Sequence, residues 1–219
     1  MPREKTMWEL TEWPRALFIV VSDDPISTLE YEQSRRKWRE HSPEIEISRV
    51  EAITSKTIEK GDSVTPLNFS RKQPNGFSKV WRDFSLTEIA IWYSHANLWK
   101  KSISDNKPYI IVENDVALVK PIRYNWLLKH EMHCFGYFAS TDMRPAAATA
   151  YYITPYAARW LLGSLPNPIQ INVDGWIHKV CDNIGEYTYA ARHYSRGHQN
   201  DDTHPYQWIE DQFRKLPDL

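Results

Sequence analysis

The chain has 219 residues, 42% of them hydrophobic and 25% charged, with a formal net charge of -1. That length carries one domain with a sizeable core, and that charge removes any bulk attraction to nucleic acid or an anionic membrane. Two cysteines, Cys134 and Cys181, are too few and too far apart for a zinc cluster or a disulfide framework, so both are expected as buried thiols. No stretch is apolar for long enough to span a bilayer. The opening MPREKTMWELTEWPR holds no apolar run that would serve as a signal peptide, so a cytoplasmic setting is expected. Ten tryptophans and twelve tyrosines are the compositional outlier. Most belong in a core, and the same rings stack well on sugars and bases.

In chain order, Ala16 to Val21 is a continuous apolar run that reads as a buried strand, ended by Asp23-Asp24-Pro25. Ser27 and Glu30 have capping-box spacing ahead of a helix reaching His41. Glu46 to Ile53 alternates as a second strand. Lys56 to Lys79 is polar, carries Gly61, Pro66, Pro74 and Gly76, and reads as a long loop. Its cations Arg71, Lys72, Lys79 and Arg82, interleaved with Phe77 and Trp81, suit a lid over a diphosphate, contact with a nucleic-acid backbone with aromatic stacking, or a solvated loop. Ser85 and Glu88 form a second capping box, followed by an amphipathic helix closed by Asn106-Lys107-Pro108. A strand ends at Val112, a short helix is expected over 125–132, and strands over 134–139 and 151–153. Thr154 caps a helix with Pro155 first and Gly163 at its end. A helix over 174–181, a strand over 187–191 and a terminal helix over 205–216 complete the reading. Strands alternating with helices imply an α/β domain with a mostly parallel central sheet. Seven glycines and no Gly-rich fingerprint disfavour a dinucleotide site.

The strand Tyr109-Ile110-Ile111-Val112 runs straight into Glu113, Asn114 and Asp115. Strand packing has no need for two carboxylates there. In open α/β sheets ligands collect at the carboxyl ends of strands. Carboxylate oxygens suit a hard divalent cation, which in turn suits a diphosphate such as that of a nucleotide-sugar.

The same stretch resembles the family 25 glycosyltransferases, which include lipooligosaccharide and collagen galactosyltransferases. The resemblance lies in Leu86-Thr87-Glu88-Ile89, Ser94-His95, Trp99 and Ile110-Ile111-Val112-Glu113-Asn114-Asp115-Val116. It extends to Leu17-Phe18-Ile19-Val20-Val21, Arg35-Arg36 and Ser48-Arg49-Val50-Glu51-Ala52 at the start. Later it includes Thr149-Ala150-Tyr151-Tyr152-Ile153, Ala157-Ala158-Arg159-Trp160-Leu161-Leu162 and Val173-Asp174, so it spans most of residues 16 to 178. Asn114 stands where the family carries the middle acid of a triplet, a Gly before Glu88 is absent, and the region after Asp182 matches poorly.

The resemblance implies a single GT-A-like domain over 1–219, with a core over 16–192 and a C-terminal loop and helix over 193–219. It implies transfer of a hexose from a UDP-sugar to a hydroxyl of a glycan of the lipopolysaccharide type, with inversion, aided by Mn²⁺ or Mg²⁺. On that pattern Asp115 holds the metal, and Glu113 holds the metal or the nucleotide with Asn114 beside it. Asp23 contacts the nucleotide, and Arg35 approaches the diphosphate. One group of the cluster His193, His198, Asp201, Asp202 and His204 completes the metal shell, with His198 as the candidate. Asp174 is the first candidate for the base that takes the acceptor proton, against a plain helix N-cap; Asp142 is the second. His95 is either a structural hydrogen-bonder or a substrate contact. Two alternatives stand beside this reading: the same reaction on a hydroxylated nucleobase in DNA or on protein, and a module that binds nucleotide or glycan without catalysis.

Overall fold

The computed structural model describes residues 12–59, 67–73, 80–138 and 148–193. The first strand, β1 (Arg15–Val20), shows why its apolar run is unbroken. Alternate residues leave a strand on opposite faces. Ala16, Phe18 and Val20 enter one core with Tyr31 and Trp38 of α1 (Pro25–His41). Leu17 and Ile19 enter another with Trp92 and Trp99 of α3 (Leu86–Asp105). Strand β3 (Tyr109–Glu113) divides the same way, Ile110 and Val112 on one side, Tyr109 and Ile111 on the other. The sheet is therefore buried on both faces, as a sheet covered by helices on each side must be.

Seven strands form one sheet in the order β2-β1-β3-β6-β5-β7-β4. The others are β2 (Ile47–Glu51), β4 (Val116–Leu118), β5 (Met132–Phe138), β6 (Ala150–Ile153) and β7 (Gly185–His193). Strands β1, β2, β3, β5 and β7 share one direction, and β4 and β6 oppose it. The remaining helices are α2 (Ser55–Glu59), α4 (Tyr124–Leu127), α5 (Pro155–Gly163) and α6 (Val173–Ile184). Helices α3, α5 and α6 line one core, and α1 and α4 the other. The expectation of a single α/β domain of GT-A-like form, with a mostly parallel sheet flanked by helices, is met.

The sheet cannot be flat. Only Asn114 and Asp115 separate β3 from β4, yet β4 lies four strand positions away. Four spacings span about 19 Å, while three Cα steps reach about 11 Å. The sheet must curl, and an irregularity between Cys134 and Gly136 of β5 is placed to bend it. The curl brings β4 beneath α1, where the Trp38 indole N–H donates to the Val116 carbonyl at 2.9 Å.

Several local expectations hold, and others are corrected. Ser85 and Glu88 form the capping box of α3, with reciprocal bonds of 3.2 and 3.0 Å. Asn106 ends that helix in the left-handed region at φ 51°. Helix α1, however, starts earlier than its sequence suggested. Asp24 is the N-cap and Pro25 the first helical residue, a position where its missing N–H costs nothing. Ser27 and Glu30 turn inward instead, and the Ser27 hydroxyl accepts from the Val21 N–H at 3.0 Å. The expected loop after Lys56 opens with the five-residue helix α2. The short helix expected over 125–132 is confined to α4, and β5 begins at Met132. Asn172, not Asp174, caps α6, its side chain accepting from Gly175 N–H at 3.1 Å. A Cβ at Gly175 would lie 2.8 Å from that same cap oxygen and from the Ile171 side chain, so any larger residue must displace the cap or Ile171. Both cysteines are free and buried, Cys134 on β5 and Cys181 on α6. The expected terminal helix lies outside the described residues.

Because α1 and β4 meet through one buried indole bond, Trp38→Phe should keep the packing and strand the Val116 carbonyl. The expected cost is about 1–3 kcal/mol of unfolding free energy, read by urea titration.

Candidate active site

A cavity of about 800 Å³ opens where β1, β2 and β3 end side by side. Three parallel strands deliver their carboxyl-terminal loops to one place, which is where ligands bind in open α/β sheets. The β1 exit supplies Asp23 and Asp24, the β2 exit supplies Thr54, Ser55 and Lys56, and the β3 exit supplies Glu113, Asn114 and Asp115. Helix α1 adds Glu30, and the first half of α3 adds Thr87, Ile91, Ser94 and His95. Ile91 is solvent-exposed and gives that wall an apolar face.

Five carboxyl groups line this space: Asp23, Asp24, Glu30, Glu113 and Asp115. Lys56 is the one lysine or arginine among the described lining residues, and its ammonium lies 3.3 Å from Asp23. Asp24 is occupied in capping α1. The Ser22 N–H donates to Glu51 at 3.0 Å, and the Ser22 hydroxyl also meets that carboxylate, tying the exit of β1 to the end of β2. Ser94 likewise receives the Ile53 N–H at 2.9 Å and donates to the Ala90 carbonyl at 3.0 Å. The exit of β1 is thus pinned to α1 and β2, and that of β2 to α3.

Behind the β3 exit runs a buried chain of polar groups. The Trp99 indole N–H donates to the Tyr151 hydroxyl at 2.9 Å, and that hydroxyl lies 2.8 Å from His95 Nδ1. His95 Nε2 faces the Glu113 carboxylate at 3.8 Å. An indole only donates, so the phenol accepts from Trp99. Where the phenol's own proton is given to Nδ1, the His95 proton sits on Nε2, toward Glu113. Burial pushes the Tyr151 phenol well above its ordinary range, which keeps that proton in place. The two readings of His95 merge: it is buried and hydrogen-bonded, and it also lines the cavity.

The structure brings Asp23, Glu113, Asn114 and Asp115 to this cavity and sets other sequence candidates apart from it. Arg35 sits on a separate groove of α1, paired with Glu32 at 3.2 Å and stacked over Tyr31. Asp174 is in the first turn of α6, where its Oδ1 accepts from the Ala148 N–H at 3.0 Å, just ahead of β6. Asp142 and His198 lie outside the described residues, as do His193's side chain, Asp201, Asp202 and His204. Glu30 was not singled out as a site residue. Its signal was spacing: Ser27, Glu30, Tyr31, Ser34 and Trp38 form one buried helical stripe, and an acid on such a stripe calls for a purpose.

The basic loop is not a loose lid in its described parts. Its residues 67–73 are bonded to the segment before α6, with Ser70 N–H to the Ile169 carbonyl at 3.0 Å and Gln73 N–H to that of Gln170 at 2.7 Å. Lys72 is buried and meets Glu88 at 2.5 Å. Arg82 clasps the same carboxylate at 2.7 and 2.8 Å, and Arg71 donates to the Trp81 carbonyl. Lys79 and Phe77 lie outside the described residues.

Burial disfavours the Glu88 carboxylate, but hydrogen bonds from Arg82, Lys72 and Ser85 outweigh it and bring its pKa from 4.5 to about 2. A folded pKa below the unfolded one contributes stability above pH 4.5 that is lost as the pH falls through 2. Glu88→Gln should therefore lower the melting temperature at neutral pH, with the deficit shrinking below pH 4.5 in a thermal scan series. Tyr151→Phe should cost about 1–3 kcal/mol, because Trp99 and His95 both lose a buried partner. Imidazole nitrogen NMR of the parent protein should show His95 protonated at Nε2.

Among the described residues no helix is long and apolar enough to cross a membrane. No curated protein matches the chain. The family model of Glycosyltransferase family 25 (LPS biosynthesis protein) matches residues 26–144, more than half of the 219. That span runs from the first turn of α1 to just before β6 and contains Glu30, His95 and the three residues of the β3 exit. The chain belongs to glycosyltransferase family 25.

Proposed function

We propose that this glycosyltransferase moves a hexose from a UDP-sugar to a hydroxyl of a lipopolysaccharide-type glycan, with inversion at the transferred carbon, and that Mn²⁺ or Mg²⁺ assists. One observation carries the reading: an acidic cavity of about 800 Å³ at the ends of three parallel strands, with carboxylates outnumbering ammonium groups. A bare diphosphate would be repelled there. A divalent cation between the acids and the diphosphate removes the conflict.

The donor set fits such a cation in one specific way. Among the described residues no group of three or more His, Cys, Asp and Glu forms a ready-made cage. Mg²⁺ needs none, since it commonly takes one or two carboxylates and completes its shell with water and substrate phosphates. Asp115 and Glu113 would hold it, with His198 as a further candidate. When bound it neutralises the diphosphate charge that builds as UDP departs.

The chain's own residues do the rest. In this reading Thr54, Ser55 and Asp23, which line the cavity, would meet the nucleoside, and Ile91 offers an apolar surface. His95, hydrogen-bonded to Tyr151, faces the Glu113 carboxylate at 3.8 Å from behind. Asp174 would take the proton of the attacking hydroxyl only if the acceptor reaches the start of α6, apart from the described cavity lining, with Asp142 as the alternative base. Arg35 approaches the diphosphate in this scheme only if α1's outer groove joins the site. A glycan acceptor is favoured over DNA because Lys72, Arg82 and Arg71, the side chains that motivated a nucleic-acid reading, are engaged within the protein.

The deciding experiment is UDP release from a panel of UDP-sugars with Mn²⁺, with Mg²⁺ and with EDTA. The expected result is slow release from one donor, only with metal, falling to background in Asp115→Ala while its circular dichroism and melting temperature stay close to the parent's. Metal-independent release, or full release by that variant, overturns the metal assignment. UDP-sugar binding without any release points to a non-catalytic binding module.

A further inference from the structure

Glu30 is the least expected group in the cavity wall. It sits in the sixth position of α1, past the first turn, so the helix terminus does not stabilise its charge. It is 3% exposed, and its Oε2 accepts from Asn114 Nδ2 at 2.5 Å. A buried carboxylate is costly unless something on the protein repays it. Its sequence separation from Asn114 is 84 residues, so the bond joins α1 directly to the turn between β3 and β4.

The chemistry of the pair fixes two things. A carboxylate only accepts, so the amide must face it with nitrogen and present its carbonyl oxygen on the opposite side. Position 114 must also be neutral while position 30 is acidic. An aspartate there would set two carboxylates in contact, and one of them would be forced to take up a proton.

Resting on the donor-site reading above, we infer that Glu30 is a positioning residue for the β3 exit. It holds Asn114 so that the amide carbonyl joins the oxygens of Glu113 and Asp115, and it steadies the two-residue turn that carries Asp115. Glu30 acts through Asn114.

The test is a reversal of the pair. N114D should weaken binding of UDP in the presence of Mn²⁺ by at least about tenfold, since like charges in contact cost more than a tenfold change in affinity represents. E30Q/N114D puts the donor on position 30 and the acceptor on position 114, keeps one negative charge, and should regain affinity to within about threefold of the parent. E30A should lose about tenfold in UDP affinity and raise the KM for the donor more than it lowers kcat. Calorimetric titration with UDP and Mn²⁺ reads the affinities, and thermal melts of the same four proteins read the fold. A double variant that binds no better than N114D, or an N114D that binds like the parent, overturns the inference. So does recovery of the melting temperature without recovery of UDP affinity, because that pattern belongs to a purely structural pair. If the parent protein binds no UDP at all, the donor-site reading fails first and the inference falls with it, whatever the melts show.

Discussion

Two residues between β3 and β4 constrain the rest of this molecule. A link that short forbids a flat seven-stranded sheet, so the far edge must fold back toward the centre. That return places β4 under α1, gives Trp38 a carbonyl to bind, and sets Glu30 of α1 against the chain reversal. The reversal itself holds Asn114 and Asp115. The same geometry that closes the fold therefore positions the polar groups of the cavity. A longer link would relax the sheet and let the acids drift.

The cavity works against its own electrostatics. Its walls carry carboxylates from two strand exits and one helix, and among the described lining residues Lys56, paired with Asp23, is the one lysine or arginine set against them. Stability does not ask for this arrangement, since carboxylates crowded together repel. Buried hydrogen bonds stiffen its frame: Ser94 on the β2 exit, the Trp99–Tyr151–His95 chain behind Glu113, Asn114 on Glu30. A site whose charges are held by buried hydrogen bonds stays organised before any ligand arrives, which is the condition for electrostatic assistance without reorganisation.

Much of the fold was legible because it rests on local rules. Unbroken apolar runs marked β1 and β3, Ser85 and Glu88 marked the start of α3, and Thr154-Pro155 marked that of α5. What the sequence hid was long-range. Strand β4 is three residues long, too short for alternation to register, and exists only because β7 lies beside it. Ser27 and Glu30 have the spacing of a capping box, but Pro25 lets the helix begin a turn sooner and frees both side chains for the interior. The acids at the β3 exit were visible as a motif; their company was not. The partners of Asn114 and His95 lie 84 and 56 residues away, and nothing in the local pattern announces them. The plain-cap alternative for Asp174 fails, because Asn172 does that work and Asp174 instead reaches the backbone ahead of β6.

The two cysteines give this protein a built-in reporter. Cys134 sits where β5 departs from regular pairing, and Cys181 lies on α6, the helix that begins beside Asp174. Both thiols are sealed from solvent, and the chain has no others. An alkylating reagent can then reach a sulfur only when the sheet bend or the helix packed on it swings open. The rate of covalent labelling is a clock for that opening. Running it with and without a nucleotide-sugar would show whether filling the cavity tightens the distant half of the sheet.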